Sequence, residues 1–177
     1  YLGRAEGQMS WALTLARTND AAVKTAATPP ALGAALARLE NDIVEAYAKP
    51  GSTTEHTNFI IANSSLKLAR ELESRGLRLG ALVTLMRSRL ALALATTTTP
   101  SAERGKELRA SAAIFKARMD ASTRDESIGE SIVERALVAL DKSEGGGEAS
   151  GRERQRAAAL LDVVVPEYFD IMKGANP

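Results

Sequence analysis

One stretch constrains the fold more than any other: SRGLRLGALVTLMRSRLALALATTTTP, residues 74–100. It is the most apolar run of the chain, yet it carries Arg78, Arg87 and Arg89. A bilayer-crossing helix needs about 20 apolar residues. An arginine near its centre costs about 2.5–3.5 kcal/mol on the insertion scale, and each leucine returns only about 0.3–0.6 kcal/mol. Arg87 and Arg89 therefore outweigh the leucines, and no membrane span is expected. On a helical wheel Leu79, Val83, Met86, Leu90 and Leu94 form one stripe, and Ala81, Leu85 and Leu92 a second. Thr84, Arg87, Ser88 and Ala91 share the polar strip between them. A helix apolar on two sides is packed from two sides, so this segment is expected to be the central rod of a helical assembly. The β-branched Thr96–Thr99 and Pro100 end it.

The rest of the chain repeats the helical period, with apolar residues three and four apart. Residues 1 to about 25 read as a helix on Leu2, Ala5, Met9, Ala12, Leu13 and Ala16. A second helix buries Leu32, Leu36, Leu39, Ile43 and Tyr47 and ends at Lys49-Pro50-Gly51. A third turns Ile61, Ser65, Leu68 and Leu72 inward, with Phe59 and Leu66 to one side, and stops at Gly76. After the central rod, Ser101 caps a helix built on Leu108, Ala112, Phe115 and Met119. Thr123 and Glu126 are spaced as a capping box for a sixth helix on Ile128, Ile132, Ala136, Ala139 and Leu140. SEGGGEASG, residues 143–151, reads as a flexible linker before a C-terminal helical segment, 152–173. There Ala157, Leu161, Val164, Tyr168, Ile171 and Met172 lie near one face, and Pro166 predicts a kink or a fresh start. No segment alternates as a half-buried strand does. The expectation is a single all-α domain over 1–177: about seven antiparallel helices in a bundle or short helical-hairpin array. Turns are expected at 49–53, 75–77, 97–101 and 121–126.

Residues 62–95 have the length of one tetratricopeptide repeat, and the window resembles that family. Leu68, Ala69 and Leu72 occupy first-helix packing positions, Gly76 the turn, and Ala81, Leu82 and Leu85 the small-then-large positions of a second helix. Ser88 stands where a small Ala is usual, and the closing Pro is missing from its position. The resemblance implies a peptide- or protein-binding scaffold.

Lys and Arg number 23 against 22 Asp and Glu, for a net charge of +1, and the two signs are interspersed. With aromatics at 4% as well, a nucleic-acid-binding surface is not expected. The absence of Cys removes thiolate metal sites, disulfides and cysteine nucleophiles. The sole histidine, His56, falls on a polar helix face. Glu126, Glu130, Glu134 and Asp141 line one side of a helix as a solvated acidic face, without the Glu-x-x-His pairs that carboxylate metal centres on bundles use. No elbow-type nucleophile appears, and EGGGE lacks the Lys-Ser/Thr ending of a phosphate loop. Catalysis, cofactors and metals are therefore not expected.

Two groups remain as candidates. Arg78 and Arg89 fall within about 20° of each other around the central rod, between its apolar stripes. They are read either as internal salt-bridge partners of neighbouring glutamates or as an anion-binding pair. Trp11 and Leu15 lie opposite the buried face of the first helix, and with Tyr1 they are candidate interface anchors, as are Tyr168 and Phe169. The leading expectation is a non-catalytic protein-interaction or scaffold module, one subunit of a larger assembly, with a protein partner or a second copy of itself. The alternative is a ligand-binding or sensor bundle with an anion site at Arg78 and Arg89. A start at Tyr1 matches a processed N-terminus, so an extracytoplasmic location, secreted or periplasmic, is the expectation over a cytoplasmic one.

Overall fold

A computed structural model describes residues 29, 31–49, 56–122, 125–145 and 148–173. Among them the chain is all helical, in six rods: α1 (Leu32–Tyr47), α2 (His56–Ser74), α3 (Arg78–Thr96), α4 (Ala102–Asp120), α5 (Ser127–Ser143) and a C-terminal rod. That last rod is α6 (Glu148–Ala158), a π-helical segment (Ala159–Val164) and α7 (Val165–Met172) in succession. The helix expected over residues 1–25 lies outside the described residues.

Long-range pairs show that neighbouring rods run antiparallel. Arg70 meets Glu40 and the Tyr47 ring meets Phe59 across α1 and α2. Ser88 donates a hydrogen bond to the Ala62 carbonyl across α2 and α3. That register puts Ala69 opposite Ala81, so small residues face small residues and the two axes approach closely. Arg109 reaches Asp141 and Glu144 across α4 and α5. The Ser150 hydroxyl donates to the Ser143 carbonyl where α5 hands over to α6.

The turns follow local chemistry. Gly76 sits at φ +79°, the left-handed region that glycine adopts without penalty. Its N–H donates to the Glu73 carbonyl at 2.9 Å and the Leu77 N–H to Leu72 at 2.9 Å. These two bonds are a Schellman motif. Ser101 accepts from the Arg104 N–H, capping α4 as expected. The 143–151 linker is shorter than expected. Ser143 still belongs to α5, and Glu148 already opens α6, because Ser150 is buried and tied back to α5.

α3 buries Ala81, Leu82, Leu85, Met86, Ser88, Ala91, Leu92 and Ala93. It packs on α2 and α1 and on the π segment, and it shares the interior with the C-terminal rod, which also meets α4 and α5. By length and composition α3 is one helix among the described residues that could cross a membrane. Here its apolar residues are applied to other rods of the same chain. Ser88 and Ala91 were expected on the polar strip and are buried instead. Ser88 is 0% exposed, because its hydroxyl finds a carbonyl on α2. Leu68, expected inward, is exposed, and Ala62, Leu66 and Ala69 take the contact.

Pro166 stands in the first turn of a fresh α-helix, α7, which begins at Val165 after the π segment, as expected. Backbone angles stay helical through Ala158, Val164 and Val165, and the Val165 N–H donates to the Leu160 carbonyl five residues back. Widening to the π pattern removes the four-back bond that proline cannot donate and relieves its ring clash.

Candidate functional site

Arg89 projects from α3 between two carboxylates on different rods. Its Nη1 lies 2.5 Å from Asp42 Oδ2 on α1, and its Nε lies 2.5 Å from Glu167 Oε2 on α7. The Nε contact is off the N–H direction, so Arg89 and Glu167 meet as charges and not through an aligned hydrogen bond. The Glu167 side chain is only 10% exposed. Burial pushes its carboxyl above the usual carboxylate range, against the opposing pull of Arg89 and Arg38.

A groove of about 280 Å³ opens beside this triad, between α1, α3 and the π segment. Asp42, Glu45, Lys49 and Arg89 supply its polar lining, and Leu92 and Val163 part of its apolar floor. Lys49 is held by Glu45 at 3.6 Å. The cations of the groove are thus already matched to carboxylates. No nucleophile–base pair lines it, and among the described residues no group of three His, Asp or Glu could hold a metal ion.

Arg78 does not join Arg89. It is exposed at the first turn of α3, eleven residues away, a rise of about 16 Å along the helix. The internal ion pair is the reading that the geometry of Arg89 matches. Tyr168 and Phe169, offered as interface anchors, are consumed inside the chain. Phe169 stacks on Phe115 at 5.9 Å, and the Arg118 guanidinium sits 3.8 Å from its ring centroid. The Tyr168 hydroxyl donates to Glu126 Oε2 at 2.7 Å. Glu126 therefore leaves the expected acidic face: it is 3% exposed and also accepts from Ser122 at 2.9 Å. Periodicity alone has no means of joining Glu126 to a tyrosine 42 residues downstream. His56 is exposed, as expected, against the Tyr47 ring at 6.3 Å. Tyr1, Trp11 and Leu15 lie outside the described residues.

Apolar side chains do reach the surface on the other side of α1. Val44 is 65% exposed, Tyr47 47% and Ile60 54%. The register set by Glu40–Arg70 and Tyr47–Phe59 places Val44 about one helical turn from Ile60 across the α1–α2 seam. Comparison with known proteins finds no matching family, no matching curated protein and no matching solved structure.

Proposed function

We propose that the protein is a non-catalytic helical interaction or scaffold module, a subunit of a larger assembly. The observation that carries this reading is the exposed Val44–Tyr47–Ile60 surface on the α1–α2 seam. Apolar side chains grouped at a seam, with charged residues around them, suit a partner helix or a second copy of the chain. The residue inventory supports the non-catalytic part: one exposed histidine, no cysteine, and Lys49 and Arg89 matched to carboxylates in the groove. The reading includes a seventh helix over residues 1–25 and a hairpin arrangement similar to a tetratricopeptide repeat over 62–95. A ligand site shared by Arg78 and Arg89 has less support, because Arg89 already serves two carboxylates and Arg78 lies three turns away.

Light scattering of the full chain over a concentration series tests the reading. Self-association is expected, and V44D with I60D should abolish it while leaving the helical circular dichroism unchanged. A strict monomer at every concentration, with both substitutions silent, counts against it.

A further inference from the structure

The two open flanks of α1 differ in chemistry. Asp42, Glu45 and Lys49 line the groove beside α3 and the π segment, where cations and carboxylates are paired. On the flank toward α2, Ala37, Val44 and Ala48 are exposed and none carries a charge. Their spacing of seven and four puts them on one side of the helix. Ile60 of α2 continues this surface across the seam: it is 54% exposed, and Val44 is 65% exposed. Glu40, one turn before Val44, is taken up by Arg70. An apolar helix face laid on this flank therefore strips no unpaired charge of its water.

The chain itself carries such a face, rooted at the end of the same helix. Pro29 is buried, and its carbonyl accepts from the Leu32 N–H at 3.3 Å, which anchors residues 1–28 at the N-terminal end of α1. Val44 stands twelve residues beyond Leu32, about 18 Å along the axis. Sequence spacing predicts a helix over residues 1–25, with Met9, Ala12, Leu13 and Ala16 in one apolar stripe. Returning antiparallel to α1 from a turn centred near residues 28 and 29, that helix is long enough to span the distance. It sets Leu13 level with Val44 and Met9 level with Ala48. Leu13 is four residues from Met9, as Val44 is from Ala48, so both pairs meet in one register. A segment tethered this close has an effective concentration on the order of millimolar. In dilute solution a second copy of the chain competes against that.

We propose that the first occupant of the α1–α2 seam is the chain's own N-terminal segment. Residues 9–25 lie antiparallel to α1, Met9 and Leu13 cover Val44, Ala48 and Ile60, and a second copy must displace them. The proposal rests on the reading of the Val44–Tyr47–Ile60 seam as a helix-docking surface, and it names what covers that surface.

The chain has no cysteine, so introduced pairs report without background. Full-length Leu13→Cys with Val44→Cys, and Met9→Cys with Ala48→Cys, are oxidised mildly in dilute solution and run on non-reducing gels. A disulfide requires Cα atoms within about 7 Å. Both pairs should close within one chain, while Leu13→Cys with Val138→Cys, which uses an exposed position on α5, should not. In light scattering the oxidised Leu13–Val44 variant should stay monomeric at concentrations where the parent associates, and reduction should restore association. If neither pair closes within a chain, or both close only between chains, the proposal is overturned. Association that Val44→Asp with Ile60→Asp abolishes, without an intrachain disulfide, removes the cover and keeps the interaction reading. An intrachain disulfide in a chain that never associates keeps the cover and removes the second copy as a partner.

Discussion

The Tyr168 hydroxyl donates to Glu126 Oε2 at 2.7 Å, and both side chains are sealed from solvent. The bond ties the N-terminal end of α5 to α7 and gives a buried carboxylate one of its donors. Removing that donor leaves the carboxylate under-satisfied, and a lost partner to a buried charged group costs about 1–3 kcal/mol. Tyr168→Phe should lose that much in urea unfolding, with no change in m-value. Glu126→Gln should lose less, because its amide oxygen still accepts from Tyr168. A Tyr168→Phe variant as stable as the parent would remove this bond from the account.

The same corner makes Gly129 obligatory for a steric reason. A Cβ there would lie 2.7 Å from Tyr168 Cε1 and 2.8 Å from Met119 Sδ. Tyr168 and Met119 are both buried and have little room to retreat. Gly129→Ala should destabilise by about 1–3 kcal/mol through overpacking, despite the helical preference for alanine. Gly105 supplies the contrast, since nothing lies within 4 Å of its would-be Cβ. Gly105→Ala in α4 should stabilise by about 0.5–1 kcal/mol. Opposite signs in one set of thermal melts confirm the pair of predictions, and equal signs refute it.

Ser88 joins α3 to α2 by donating to the Ala62 carbonyl at 2.6 Å from a fully buried position. Ser88→Ala should cost about 0.5–1.5 kcal/mol for the lost bond. Ser88→Val adds bulk where the axes approach and should cost about 1–3 kcal/mol. Denaturant midpoints must therefore fall in the order parent, alanine, valine. A valine variant more stable than the alanine variant would mean that the two helices are not in close contact there.

What the sequence discloses of this fold is the part written in periodicity. Leu32, Leu36, Leu39 and Ile43, or Leu161, Val164, Tyr168, Ile171 and Met172, repeat at helical spacing and are buried where that spacing places them. Gly76 and Ser101 are legible as a stop and a cap because the backbone there demands their chemistry. Ser88 and Glu126 are misread for one common reason. A polar side chain is placed outside by default, and its buried partner sits on another rod, 26 residues away for Ser88 and 42 for Glu126. Pro166 is legible as a fresh helix start, but the π segment that precedes it is not, because the breaker rule assumes α-helical spacing. Of the candidate site, the wheel angle of Arg78 and Arg89 is legible, but angle says nothing of height along the rod.

Glu167 makes stability depend on pH in a stated direction. Its carboxyl is raised above the ordinary value of 4.5, chiefly by burial. The folded protein therefore holds this proton more tightly than the unfolded chain does. Below the unfolded value that preference stabilises the fold in full, and it is lost as pH rises through the folded value. Glu167→Gln cannot titrate, and Arg89 keeps Asp42 at 2.5 Å, so the guanidinium is not orphaned. Urea unfolding of both proteins from pH 4 to pH 7 isolates the effect, because the other carboxylates are common to both. The stability of Glu167→Gln relative to the parent should rise with pH across the window above 4.5 and then level off. If the Arg89 ion pair outweighed burial, the relative stability would fall with pH instead. That result would make Glu167 a net electrostatic anchor of α7 on α3, not a carboxyl held there at a cost.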